Sequence, residues 1–246
     1  MLIGRVRAAT GEALWVRRDG ERMVAIEDPY AARSAGRMPG DLPGAPAVSG
    51  ELLAPCEPLV IVGIAQNGPA HADPVQAWLK SPRGVVASGT TVRLRRDAGQ
   101  TVAEGEIAIV IGRDTTGLTA ATAADYVLGV TAVDDLSSPD RAVRDPRNFE
   151  SKSGVGYTPL GPWIDTDARI DDVDLRLRID GEVVARTDAA ALPVPIATCL
   201  AYVASWTTLG PGDVVMTGAP FSSAPIRPGQ TVEVEVGVVR LSTPTA

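Results

Sequence analysis

Glu104 and Glu106 stand one residue apart in the segment VAEGEIAIVIGR (102–113), where the chain otherwise reads as a buried strand. Side chains alternate along a strand, so both carboxylates point to one face while Ile107, Ile109 and Ile111 point to the other. Two like charges on one small patch repel each other unless something positive sits between them. The positive partner is not a zinc ion on imidazoles, because His71 is the only histidine and Cys56 and Cys199 belong to no CxxC pattern. Any metal held here takes oxygen ligands, which select hard ions such as magnesium, manganese or calcium. The plain alternative is a solvated strand face, since exposed glutamates are common.

The elements that must position these carboxylates are mostly strands. Apolar runs recur from Leu52 onward as PLVIVGIA, TVRLR, EIAIVIGR, YVLGVTAVDD, LRLRIDGEVVAR, DVVMTGAP and TVEVEVGVVRL. Asp180-Gly181 between LRLRI and EVVAR is a strong hairpin signal. Two segments read as helices, TAATAADYV and PIATCLAYVASWTT, the second with apolar spacing near i, i+3, i+4 and i+7. Residues 1 to about 50 alternate short strand-like pieces with turns and then pass through the Gly/Pro/Ser-rich SAGRMPGDLPGAPAVSG. The expected division is a small N-terminal α+β domain with its linker over 1–52 and a larger domain over 53–246. The fold class is mainly β with a few helices (α+β).

Composition narrows the partners. A chain of 246 residues with 45% hydrophobic content can bury a substantial core without disulfide or metal staples. A net charge of -7 argues against a nucleic-acid partner, which calls for a basic patch or stripe. No run of 18 apolar residues and no basic-apolar leader is present, so the expectation is a cytoplasmic protein with no membrane partner.

In collinear order over roughly 59–241, the blocks HADPVQAWLKSP, EGEIAIVIGR, DYVLGVTAVDDLSS, SKSGVGYTPLGPWI, LRLRIDGEVV, WTTLGPGDVVMTGAP and IRPGQTVEVEV resemble the fumarylacetoacetate hydrolase family. The pair PLGPW and LxPGDVxxTGxP is specific in combination, whereas ExE alone carries little weight. The resemblance implies a mixed β-sandwich roll, a homodimer, and a divalent ion (Mg2+ or Mn2+ ahead of Ca2+) held by Glu104, Glu106 and Asp135. Asp134 is the neighbouring alternative to Asp135, and strand alternation lets only one of them face the ion. The resemblance also places Lys152 beside a bound anion as a catalytic group, and Lys80, Thr217 and Gly218 against substrate. It implies His71 as general base, although Pro74 stands where the family's hydrolytic members carry a glutamate, and Asp73 is differently spaced.

Other departures bear on the pocket. Pro139 replaces an arginine, Gly154-Val155 replaces Phe-Asp, and Ala189-Ala190 replaces a hydroxyl pair. Arg141, Arg144 and Arg147 in DRAVRDPRNF are candidates for anion contacts or a solvated loop. The expected activity is carbon–carbon bond cleavage in a small carboxylic acid of the 2-oxo or 1,3-diketo class, by acylpyruvate-type hydrolysis or oxaloacetate-type decarboxylation. The alternatives are an isomerase or hydratase of a 2-hydroxy-dienoate, and a non-catalytic metabolite-binding protein.

Overall fold

The computed structural model describes residues 1–44, 47–66, 75–219 and 221–246. In chain order its strands begin with β1 (Leu2–Ala8), β2 (Ala13–Asp19), β3 (Arg22–Ala25), β4 (Ala47–Val48), β5 (Gly50–Leu52), β6 (Ile61–Ile64), β7 (Ala77–Lys80) and β8 (Val85–Ala87). They continue with β9 (Thr101–Ile111), β10 (Val127–Asp134), β11 (Thr158–Leu160), β12 (Trp163–Asp165), β13 (Asp174–Ile179) and β14 (Glu182–Asp188). The last are β15 (Val214–Met216), β16 (Ser223–Ile226), β17 (Thr231–Val236) and β18 (Val239–Pro244). Helices α1 (Pro29–Ser34), α2 (Pro139–Ala142) and α3 (Ile196–Trp206) are the α-helices among the described residues.

Two sheets form the layers. The larger runs β4-β3-β2-β1-β12-β10-β9-β15-β6-β7, and the smaller runs β14-β13-β17-β18. Because β1 pairs antiparallel with β12, the N-terminal strands extend the sheet that contains β9 and β10. Strand β9 is the keel, with Ala103–Ile111 buried without a break. Its odd positions Ile107, Ile109 and Ile111 join Leu175, Leu177 and Val234 of the smaller sheet in one cluster. Its even positions Ala108 and Val110 join Val133, Val214 and Met216 in another. Each fully buried isoleucine contributes about 1.5–3 kcal/mol through removal of apolar surface from water. A strand covered on both faces reads as a continuous apolar run, and this is why two glutamates in it stand out.

Helix α3 follows the spacing read from sequence, burying Ile196, Cys199, Leu200 and Val203 at i, i+3, i+4 and i+7. Asp171 Oδ1 accepts from the Ile196 amide at 3.2 Å, satisfying an amide the helix start leaves open. TAATAADYV is a correction: it makes only a short 3-10 turn over Ala123–Tyr126. Thr122 Oγ1 accepts from the Thr119 amide at 3.1 Å and lies 3.3 Å from the Thr119 carbonyl, so the side chain competes with helical backbone bonds. TVRLR likewise forms no named strand, pairing only as the isolated bridge Val92↔Thr245. Among the described residues no helix is long and apolar enough to cross a membrane.

Candidate metal centre

Register places the carboxylates. Along the β9–β10 pair, Val133 stands opposite Glu106 and Asp134 opposite Gly105. One step further Asp135 faces Glu104, and its amide donates to the Glu104 carbonyl at 2.8 Å. Opposed residues on antiparallel strands share a face, so Asp135 joins Glu104 and Glu106. Ligand oxygens of these three lie within 4.8 Å of one another, and all three residues are buried. Asp134 goes to the other face, toward the smaller sheet. There its Oδ1 accepts from the Glu104 amide at 3.2 Å, while its Oδ2 has no hydrogen-bond partner. Burial pushes Asp134 up to about 8.

On the opposite flank of β9, Val214, Val215 and Met216 of β15 pair with Val110, Ile109 and Ala108. The same register brings Thr217 to Ile107 and Gly218 to Glu106. The Thr217 amide and hydroxyl both donate to the Ile107 carbonyl, at 3.1 and 2.9 Å. The Gly218 amide donates to Glu106 Oε2 at 2.7 Å. Glycine is required there: φ is +94°, and a Cβ would lie 2.5 Å from the Gln66 carbonyl oxygen.

Two lysines face the cluster. Lys152 Nζ donates to Glu104 Oε2, to Asp135 Oδ2 at 2.5 Å and to Ser137 Oγ at 2.7 Å. Lys80 Nζ, buried at the end of β7, donates to Asp135 Oδ1 and to the Tyr157 carbonyl at 2.6 Å. Burial alone would lift Asp135, but Lys152 and Lys80 hold it below the usual carboxylate range. Glu106 touches neither ammonium, and burial together with Asp135 and Glu104 pushes its carboxyl well above the ordinary range. Burial opposes the charge on Lys152, yet Asp135, Glu104 and Glu106 raise it above a normal lysine. Three buried carboxylates on one face, with two ammonium groups beside them among the described residues, form a donor set that suits a hard divalent ion.

A cleft of about 340 Å³ opens onto Glu104, Glu106, Asp135 and Lys152, with Ile64, Gln66, Trp78, Ser137, Asn148 and Ser151 on its walls. Lys80, Thr217 and Gly218 are not among those lining residues; they contact the carboxylates and β9 from behind. His71, with Asp73 and Pro74, lies outside the described residues. Sequence reasoning missed Ser137, whose hydroxyl is 2.7 Å from Glu104 Oε2; it stands two residues after Asp135 in DDLSS. It also missed Trp78, whose ring lies 5.2 Å from Lys152 Nζ and which shares a strand face with Lys80. Gln66 was missed as well. Its side chain donates to the Thr217 carbonyl at 3.0 Å and accepts from the Val194 amide at 2.8 Å, tying the Gly218 turn to the segment before α3.

Residues 56–244 match the family model of the fumarylacetoacetate (FAA) hydrolase C-terminal domain. Protein Rv2993c of Mycobacterium tuberculosis is 32% identical over 262 residues, covering 99% of this chain and 97% of that protein. Maleylpyruvate hydrolase of Aquipseudomonas alcaligenes is 30% identical over 164 residues, 65% of this chain and 55% of that protein. The crystal structure of 2-hydroxyhepta-2,4-diene-1,7-dioate isomerase from Mycobacterium marinum superposes with a TM-score of 0.87 at 26% identity, covering 100% of this chain and 98% of that one.

Proposed function

The chain belongs to the fumarylacetoacetate hydrolase family, and on that premise we propose that it is a divalent-metal-dependent enzyme cleaving a carbon–carbon bond in a small 2-oxo or 1,3-diketo acid. The observation that carries this reading is the convergence of Glu104, Glu106 and Asp135 on one cleft beside the Lys152 ammonium. These three carboxylates hold the ion, magnesium or manganese, which when bound supplies Lewis acidity toward keto and carboxylate oxygens. Lys152 brings positive charge to a site that would otherwise repel an acid, and meets the negative charge that develops on the keto oxygen as the adjacent bond breaks. Gly218 fixes one oxygen of Glu106, and the Ser137 hydroxyl fixes Glu104. Trp78 and Ile64 supply apolar wall that excludes bulk water and strengthens these interactions.

Hydrolysis of an acylpyruvate needs a base for water, the role proposed for His71, whereas decarboxylation needs only the charge sink. A second reading, isomerisation of a 2-hydroxy-dienoate, is supported by the likeness to the Mycobacterium marinum isomerase. The proposal carries with it the homodimer that the family resemblance implies, testable by light scattering on the purified protein, and keeps the cytoplasmic placement expected from the sequence. Turnover of acetylpyruvate and oxaloacetate with and without Mn2+, beside Glu106→Gln and His71→Ala, separates the readings. Acetylpyruvate cleavage lost in both variants supports hydrolysis, and oxaloacetate decay that needs only Glu106 supports decarboxylation. Conversion of a 2-hydroxy-dienoate without loss of a carbon fragment favours the isomerase. No metal-dependent turnover of any of these acids ends the catalytic proposal.

A further inference from the structure

Two blocks of the sequence that the carboxylate cleft does not use, TVRLRR (91–96) and IRPGQ (226–230), meet elsewhere on the molecule. Val92 bridges to Thr245, and the Thr245 hydroxyl donates to the Arg227 carbonyl at 2.9 Å, so the residue after β18 ties the two together. Buried Val92 and Leu94 alternate with exposed Arg93 and Arg95, which turns the Arg95 guanidinium outward. The Arg95 amide is anchored on the hydroxyl of buried Tyr157, to which it donates at 2.8 Å. In the turn after β16 the Gln230 side chain accepts from the Arg227 amide at 2.9 Å, and Gly229 takes a φ of +91° that suits glycine.

Arg95, Arg96 and Arg227 thereby line one groove of about 620 Å³, with Leu94, Pro225 and Pro228 as its apolar wall. No residue lines both this groove and the carboxylate cleft. None of its described lining residues is acidic, in a chain whose net charge is -7. The acids beside it are engaged: Asp97 by Arg95 at 2.7 Å, Asp180 by Gln230 Nε2 at 2.9 Å, and Asp140 by the Gln100 amide at 2.9 Å. Arg96 and Arg227 make no side-chain hydrogen bond or ion pair with any described residue. The arginines of DRAVRDPRNF go to other places: Arg141 Nη2 donates to the Asp97 carbonyl, Arg144 lines a separate groove with Asp97 and Asp140, and Arg147 lies beside Trp78 and Phe149.

We propose that this groove is a second binding site, separate from the carboxylate cleft, for a small multivalent oxyanion, phosphate- or carboxylate-bearing, on an apolar body. Each guanidinium presents parallel N–H donors that match two oxygens of a phosphate or carboxylate. Cations that line one concave wall raise the local potential and draw in anions against the negative field of the whole chain. The groove's volume falls within the range of about 300–1,000 Å³ usual for small-molecule sites. Leu94, Pro225 and Pro228 supply the surface for the uncharged part of the ligand. The site stands whatever reaction the cleft performs.

The test titrates pyrophosphate, and separately citrate, into the full chain freed of metal by chelating resin, with binding read by calorimetry at about 0.1 M ionic strength. One pyrophosphate per chain is expected. Arg96→Ala and Arg227→Ala should each weaken it about tenfold, and Arg227→Lys should keep part of the affinity. Arg22→Ala, which removes one exposed charge from β3, should bind within about twofold of wild type. Lys152→Met, which removes a cation from the cleft, should also bind as wild type does. Citrate bound more tightly than pyrophosphate, and weakened by the same two alanine variants, keeps the site and assigns it to polycarboxylates. Binding of neither probe overturns the proposal, as does equal weakening in Arg22→Ala. Loss in Lys152→Met with none in Arg96→Ala or Arg227→Ala puts the anion in the cleft and overturns it too.

Discussion

Asp135 and Glu104 face each other across neighbouring antiparallel strands, joined by a 2.8 Å hydrogen bond from the amide of one to the carbonyl of the other. That bond fixes the register that sends the Asp135 carboxylate into the cleft and the adjacent Asp134 carboxylate to the opposite face. Two aspartates next to each other in sequence therefore have separable roles. Asp135→Asn is expected to weaken Mn2+ binding at least tenfold by calorimetry, because it removes a ligand charge while Lys80 and Lys152 remain. Asp134→Asn keeps an oxygen for the Glu104 amide and is expected to bind Mn2+ within about threefold of wild type. Equal losses in the two variants would sink the assignment.

Gly218→Ala tests the other flank of β9. A methyl group there meets the Gln66 carbonyl at 2.5 Å on a backbone at φ +94°, so the turn must shift. The shift moves the amide that holds Glu106. The expected cost is about 1–3 kcal/mol in urea unfolding, with weaker Mn2+ binding in the same variant. A variant as stable as wild type, with unchanged metal affinity, would mean the turn is not a support for Glu106.

Much of the fold was legible because its signals are local. The alternation in TVEVEVGVVRL, the Asp180-Gly181 turn and the spacing of Ile196, Cys199, Leu200 and Val203 each declare an element without knowledge of its neighbours. Glu104 and Glu106 were visible for the same reason, as charges inside an apolar strand. The choice between Asp134 and Asp135 was not, because it depends on the register between β9 and β10. Ser137, Trp78 and Gln66 escaped notice because their meaning arises from contacts across 33 to 151 residues of chain. TAATAADYV misled because threonine side chains that satisfy backbone groups locally leave the composition looking helical.

The two cysteines give a test independent of the metal. Burial pushes both thiols up to about 12, with Cys199 also beside Asp171 and accepting from Gln66 Nε2 at 3.4 Å. A thiol whose pKa is raised stays protonated below that value, so at pH 8 the thiolate fraction is on the order of one in ten thousand. Native protein is expected to release no thionitrobenzoate from Ellman's reagent within minutes, and two equivalents after unfolding in guanidinium. Rapid native release would show that one thiol is reachable and that the packing around Cys56 or around Cys199 on α3 opens readily.

Lys152→Met separates metal binding from catalysis. Before a divalent ion binds, three carboxyl groups face two ammonium groups among the described residues; removing Lys152 takes one positive charge away from the place the ion would occupy. The metal-free variant should be less stable, since breaking a buried ion pair typically costs about 3–5 kcal/mol. Mn2+ should bind it about tenfold more tightly and recover part of that loss, since a ligand that binds only the folded state raises its stability with concentration. Turnover of an anionic 2-oxo acid should fall despite the tighter metal, because the charge that Lys152 offers the substrate is gone. Thermal unfolding with and without Mn2+, read beside steady-state rates, checks all three signs. Weaker metal binding in Lys152→Met would make the lysine a support for the ion rather than its electrostatic competitor, and the role given to it here would have to be withdrawn.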